Sequence, residues 1–268
     1  MRSRSTGAPA TIGRVLDLSD KTVLITGASK GIGAATASAL GAAGASVIAH
    51  YGSDEAGARE ATREIPSERK HLIRLDLSRP AAGRAIWRSA LRWRSPIDVV
   101  VINAATMLET PLDATDGEWD TAWRQILRVN VVEAASLMRG AVGHFCEQGG
   151  GILITLSSSA AQRGASSPTL GGYAASKAAV KAMTQTIASA YAGEGVLAYL
   201  VAPGVVRTRM SEAAAADLGG EAAVTARLPM RSWVPPAEIG DLVALLATGR
   251  CRHLSGATLD MNGANYIR

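Results

Sequence analysis

Short β-branched runs, nearly all of them continuously apolar, recur along the chain from Lys21 onward, at 22–26, 46–50, 71–75, 98–102, 152–156, 196–201 and 258–261. A strand covered on both faces reads as an unbroken apolar run, whereas a half-exposed strand alternates polar with apolar positions. Between the runs lie Ala-rich stretches of helical length at 31–43, 55–65, 81–93, 118–147, 173–192 and 237–247. Strands alternating with helices predict an α/β fold: a Rossmann-type, doubly wound parallel sheet of seven strands in a single domain.

Two stretches depart from the alternation. Residues 209–235 are Ala-rich, then carry Gly219-Gly220, Pro229, Pro235 and Pro236. Such a segment is expected to cover a substrate or to be an irregular connection. Residues 1–18 carry Arg2, Arg4 and Arg14 with no acid before Asp17, which loosely resembles a transit peptide. That pattern is permissive, so a disordered tail is the reading, with 19–268 as the catalytic domain.

Composition narrows the classes. With 47% hydrophobic residues, 28 glycines and one phenylalanine, the core is built from Ala, Val, Leu and Ile, and helices pack close to the sheet. The net charge of +5 comes from scattered arginines without a basic run or interleaved aromatics, which argues against a nucleic-acid partner. Cys146 and Cys251 have no metal-ligand or disulfide spacing, so no metal is expected and a reducing, cytoplasmic setting fits. No apolar run reaches the ~18 residues of a membrane span.

The first apolar run leads into Thr26-Gly27-Ala28-Ser29-Lys30-Gly31-Ile32-Gly33 and then a helix. Glycines let backbone approach a pyrophosphate, and a helix N-terminus supplies free N–H groups and positive potential. The spacing is G-x-x-x-G-x-G rather than G-x-G-x-x-G, so it needs separate support. That support is Tyr173-Ala174-Ala175-Ser176-Lys177, whose spacing puts phenol and ammonium on one helix face. Residues Ser157, Ser158 and Ser159 follow the fifth run, placing hydroxyls at the carboxyl edge of the sheet, where ligands of doubly wound folds sit.

With these motifs the chain resembles the short-chain dehydrogenase/reductase family, specifically its branch of 3-oxoacyl-thioester and ketone reductases. The resemblance runs from Leu18 onward and rests on 26–33, Asp76-Leu77, Asn103-Ala104, Asn130-Val131, Ser158 with Tyr173 and Lys177, and Pro203-Gly204 with Thr208. It implies that Tyr173 protonates the substrate oxygen and Ser158 hydrogen-bonds it, with Ser157 and Ser159 as weaker alternatives. It implies that Lys177 lowers the Tyr173 pKa, holds the nicotinamide ribose and joins a water relay towards Asn130. Gly27, Ser29, Lys30, Gly31, Ile32 and Gly33 would cradle the phosphates. His50, Tyr51 and Ser53 are candidates for the adenosine ribose, Asp76 and Leu77 for the adenine, and Asn103 and Ala104 for the central strand. Pro203, Gly204, Val206 and Thr208 would hold the carboxamide. Members acting on acyl carrier protein tend to have arginine where this chain has Gly143 and Ser189, which points to a free ketone or a coenzyme A thioester.

The second run ends without a carboxylate at Ala49-His50-Tyr51-Gly52-Ser53, and Lys30 stands in the glycine turn, so NADP(H) is expected rather than NAD(H). Asp54 is the counterweight, falling where a ribose-binding acid occurs in the wider fold, and is read as a helix cap. The expected activity is reduction of a ketone in a small metabolite. The alternatives are an NAD-dependent alcohol dehydrogenase working oxidatively and a non-catalytic NADP-binding protein. Arg207 and Arg209 could meet an anionic substrate or be solvated, and the pocket walls are expected from 162–172, the segment after Thr208 and Trp233. Val131, Val132, Ala134, Ala135, Leu137 and Met138 cover most of a helix circumference, and Tyr266 and Ile267 end the chain with apolar bulk. Both features predict a homotetramer with two kinds of two-fold contact.

Overall fold

The computed structural model describes residues 16–216 and 218–267. The expected tail therefore lies outside the described residues up to residue 15. Leu18, assigned to that tail from the sequence, belongs to the core: it is fully buried and its amide donates to the Ala43 carbonyl at 2.8 Å.

The strands are β1 (Thr22–Ile25), β2 (Ser46–Tyr51), β3 (Lys70–Arg74), β4 (Val99–Ile102), β5 (Gly151–Leu156), β6 (Val196–Pro203) and β7 (Thr258–Met261). Among the described residues they form one parallel sheet in the order β3-β2-β1-β4-β5-β6-β7, as the apolar runs predict. The helices are α1 (Gly31–Ala42), α2 (Glu55–Ala61), α3 (Ala82–Trp93), α4 (Asp116–Leu127), α5 (Glu133–Glu147), α6 (Ala160–Arg163), α7 (Gly171–Tyr191), α8 (Arg209–Ala216), α9 (Gly220–Arg227) and α10 (Pro236–Ala247). Strand order reverses between β1 and β4, and a crevice opens at the carboxyl ends there.

Successive strand residues point to opposite faces, and the core divides accordingly. Val23, Ile25 and Val47 pack with Leu40 of α1 and Ile239 and Val243 of α10. Leu24, Ile48 and Val100 pack with Ile86 of α3, Leu137 and Phe145 of α5, and Val180 of α7. Small residues set the approach distance: a Cβ on Gly240 of α10 would lie 2.9 Å from the Ala35 carbonyl oxygen of α1.

Two departures from the sequence expectation matter for the site. The expected single helix 118–147 is interrupted by a π turn at Arg128–Val132, which directs Asn130 inward. Just beyond it the buried Glu133 carboxylate accepts hydrogen bonds from the Ala81 and Gly83 amides at 3.0 and 2.9 Å, capping α3 from α5. The segment 209–235 folds as α8 and α9 around a small apolar cluster of Ala215, Val224, Leu228 and Trp233. Among the described residues no helix is long and apolar enough to cross a membrane, and no cluster of metal-ligating side chains occurs.

Candidate active site

A cleft of about 1240 Å³ runs along the carboxyl ends of the strands at the β1/β4 reversal. Its floor is the glycine turn between β1 and α1. Gly27 and Gly31 adopt φ of 70° and 55°, and a Cβ on Gly33 would stand 2.0 Å from the Gly27 carbonyl oxygen. Only hydrogen fits at that third glycine. The Asn103 amide, arriving from β4, donates to the Thr26 and Gly27 carbonyls at 2.8 and 3.0 Å and holds the turn against the sheet. Ser29, Lys30 and Ile32 line one wall, with Ala104 beside them. Pro203, Gly204, Val206 and Thr208 line the opposite one, where the Thr208 methyl lies 2.9 Å from the place a Gly31 Cβ would take.

The far end of the cleft is formed by Ser53, Asp76 and Leu77. The Asp76 carboxylate accepts from the Ser78 amide and hydroxyl at 2.8 and 2.7 Å, which holds its pKa below the ordinary carboxylate value. Asp54 accepts from the Gly57 amide at 2.9 Å and caps α2, the role expected from the sequence. Two expected contacts differ. Tyr51 is buried outside the cleft lining, its hydroxyl bonded to Glu55, because strand alternation turns it to the face opposite His50. His50 borders the cleft but is 2% exposed, with both ring nitrogens engaged by backbone.

At the other end, α7 presents Tyr173 with Lys177 one turn later, as their spacing requires. The Tyr173 phenol hydrogen-bonds the Ser158 hydroxyl. Burial pushes the phenol above its ordinary value, and the Ser158 bond opposes this. The expected lowering by Lys177 is not the dominant effect: its ammonium lies 5.9 Å from the phenol ring centroid and donates to the Leu156 carbonyl at 2.8 Å. Burial brings Lys177 down to about 8. Of the three neighbouring serines, Ser157 is spent on the Lys177 carbonyl at 3.3 Å and Ser159 opens α6, so Ser158 is the hydroxyl at the phenol.

Asn130 does not line the cleft. Its amide exchanges two 2.8 Å hydrogen bonds with the Thr106 backbone and donates to the Ser176 hydroxyl at 2.9 Å, which in turn donates to the Tyr173 carbonyl. The π turn thus ties the loop after β4 to the helix bearing the phenol.

A second cavity of about 350 Å³ adjoins the first at Ser158 and Tyr173. Leu170 stands on one side and Ala214, Leu218 and Val224 of the 209–235 segment on the other. Trp233, an expected wall residue, instead packs beneath α8 and α9, where its indole N–H donates to Thr225 at 2.8 Å. Arg207 pairs with Glu221 at 2.7 Å and lies over the Trp233 ring, so its charge is already matched. At the cavity rim Arg163 donates to the Asn265 carbonyl at 3.3 Å and lies over the Tyr266 ring, joining the rim to the carboxyl-terminal tail.

Known proteins share this architecture. The family model described as enoyl-(acyl carrier protein) reductase matches residues 27–263. The chain is 34% identical to a 3beta-hydroxysteroid dehydrogenase of Eggerthella lenta, covering 92% of this chain and 94% of that protein. It is 31% identical to a short-chain type dehydrogenase/reductase of Picea abies, covering 92% of each. The chain belongs to the short-chain dehydrogenase/reductase family. A 3-oxoacyl (acyl-carrier-protein) reductase of Agrobacterium tumefaciens, solved with NADP bound, superposes with a TM-score of 0.84 at 28% identity, covering 94% of this chain and 97% of that one.

As a short-chain dehydrogenase/reductase the protein is an NAD(P)H-dependent oxidoreductase. The cleft fits a dinucleotide: Gly33 leaves room only for hydrogen, the turn exposes α1 amides, and the length from Asp76 to Tyr173 is lined continuously. Thr106, Met107 and Gln125, none of them expected from a motif, also line this cleft. They lie in a loop and on a helix face with no local motif, so only the tertiary fold brings them there.

Proposed function

We propose that this short-chain dehydrogenase/reductase uses NADPH to reduce the ketone or 3-oxo group of a small, largely apolar metabolite to a secondary alcohol. The observation that carries the proposal is the Tyr173 phenol, bonded to Ser158 at the junction of the two cavities, with the Lys177 ammonium one turn below. The bound nicotinamide would supply the hydride. Tyr173 gives its proton to the carbonyl oxygen as that oxygen gains charge, and Ser158 donates a hydrogen bond to the same atom. Lys177 holds the nicotinamide ribose, and Asn130 positions Tyr173 through Ser176.

Gly27, Ser29, Gly31, Ile32 and Gly33 take the pyrophosphate; Ser53, Asp76 and Leu77 take the adenosine end; Pro203, Gly204, Val206 and Thr208 take the carboxamide. NADPH is assigned because Lys30 is exposed at the turn while the Asp54 carboxylate is committed to Gly57. The second cavity, whose wall is more apolar than polar but carries Ser166, Ser167 and Thr169, takes the substrate body, and α8 and α9 cover it. Free Cys146 and Cys251 support a reducing, cytoplasmic setting.

The test is NADPH and NADH oxidation over a panel of alicyclic, aryl and 3-oxoacyl ketones, with the reverse reaction run on the matching alcohols. Turnover of apolar ketones with NADPH is the expected result. Oxidation of alcohols with NAD at higher kcat/KM than any reduction overturns the proposal.

A further inference from the structure

One residue holds two consecutive amides of the glycine turn. The Gly27 N–H donates to His50 Nδ1 at 3.2 Å, and the Ala28 N–H donates to the His50 carbonyl at 2.8 Å. The other ring nitrogen, Nε2, lies 2.8 Å from the Leu75 carbonyl oxygen just beyond β3. A single imidazole thus spans the turn after β1, the end of β2 and the exit of β3.

These partners fix the tautomer. Nδ1 must be bare to accept from an amide, and Nε2 must carry the hydrogen to donate to a carbonyl. A proton added at Nδ1 would set two N–H groups against each other in a site 2% exposed, where no bulk water is at hand to separate them. The turn would have to shift, and Gly27, held at a φ of 70°, is where it would give.

We propose that neutral His50 is a positioning residue for the dinucleotide: it fixes Gly27 and Ala28 in the shape that receives the pyrophosphate, and its protonation loosens the turn and weakens nucleotide binding. The proposal rests on the assignment of this cleft to the dinucleotide. Charged groups on the surrounding elements are Lys30 on the turn, Asp54 at the start of α2, Arg74 and Asp76 flanking Leu75, and the exposed Arg84 and Arg88 of α3. None of them bonds or ion-pairs with the imidazole among the described residues; Asp54 and Asp76 are engaged by Gly57 and Ser78. Burial lowers the imidazole pKa below its ordinary value, and the Leu75 hydrogen bond partly opposes this. Affinity is therefore present at neutral pH and lost as pH falls through the acid side of the ordinary histidine range.

The test is titration calorimetry of NADP+ and NAD+ binding to the full chain between about pH 8 and pH 5. NADP+ carries a 2′-phosphate that itself titrates near ~6, so the comparison is between variants as well as between nucleotides. His50→Asn puts a non-titrating oxygen where Nδ1 stood. His50→Gln carries an amide N–H towards Leu75 but leaves the Gly27 amide without its acceptor. One-proton linkage predicts that wild type loses up to ~10-fold in affinity per pH unit beyond the loss seen in His50→Asn. His50→Asn should bind within about threefold of wild type at pH 8, and His50→Gln about tenfold more weakly, the loss of one buried hydrogen bond. Parallel pH curves for wild type and His50→Asn, or wild-type affinity in His50→Gln, overturn the role of His50 while leaving the cofactor assignment standing. A wild type that binds neither nucleotide overturns both. If a thermal melt shows His50→Gln unfolded, the comparison of wild type with His50→Asn decides alone.

Discussion

Tyr173, Ser158 and Lys177 meet because a helical turn and a strand end are placed edge to edge, and each has a separable consequence. Tyr173→Phe removes the proton and little contact area, so kcat should fall more than ~10²-fold while NADPH affinity, measured by fluorescence titration, stays near wild type. Lys177, brought down to about 8 by burial, is an ammonium below that pH and neutral above it. A reaction that uses the cation should slow as pH rises through about 8, and Lys177→Arg, whose guanidinium stays charged, should shift that limb to higher pH. A rate profile that is flat through this region in wild type would refute the assignment. Lys30→Ala should narrow the preference for NADPH over NADH by on the order of tenfold, chiefly by raising KM for NADPH. The placement of Tyr173 and Lys177 on one helix face was legible because four-residue spacing on a helix is a local rule. His50 and Tyr51 were not separable in the sequence, since both end the same strand and only the handedness of alternation decides which one borders the cleft.

Elements were legible where burial is symmetric. The inner strands β1, β2, β4, β5 and β6 are covered on both faces and so appear as apolar runs, the edge strands β3 and β7 are only partly covered, and all seven are present within two residues of expectation. The break in the expected helix 118–147 was not legible, because no proline or glycine marks it: Arg128-Val129-Asn130-Val131-Val132 is an ordinary helical string. The π turn is held by bonds that close only in the fold, Asn130 to Thr106 and Ser176, and Glu133 to the start of α3. The α8–α9 pair was missed for the opposite reason: its cluster is too small to give a periodic signal. Glu133→Ala would strip the half-buried Ala81 and the buried Gly83 amides of their acceptor, at a cost of about 2–4 kcal/mol read from urea unfolding. Asn130→Ala should lower kcat more than stability, since it frees the loop after β4 from the helix that carries Tyr173. Equal losses in both would reduce Asn130 to a structural role.

For the whole molecule, the subunit accounts for only part of the apolar surface that suggested association. Ala134, Leu137 and Met138 are buried within the chain, whereas Leu127, Val132 and Tyr191 remain exposed on α4, the π turn and α7, and Ile267 is 80% exposed in the tail. The homotetramer remains a proposal resting on those residues. Light scattering at micromolar concentration should report about four chain masses, and an active monomer at that concentration would refute it. The link from Arg163 to Asn265 and Tyr266 then carries a consequence for how the enzyme is assayed. If the tail is seated by a neighbouring subunit, dilution that separates subunits unseats the tail and slackens the rim of the substrate cavity. Substrates large enough to touch Arg163 would show a KM that climbs as the enzyme is diluted, small ketones confined to the inner cavity would not, and an affinity tag fused after Arg268 would reproduce the dilution effect at every concentration.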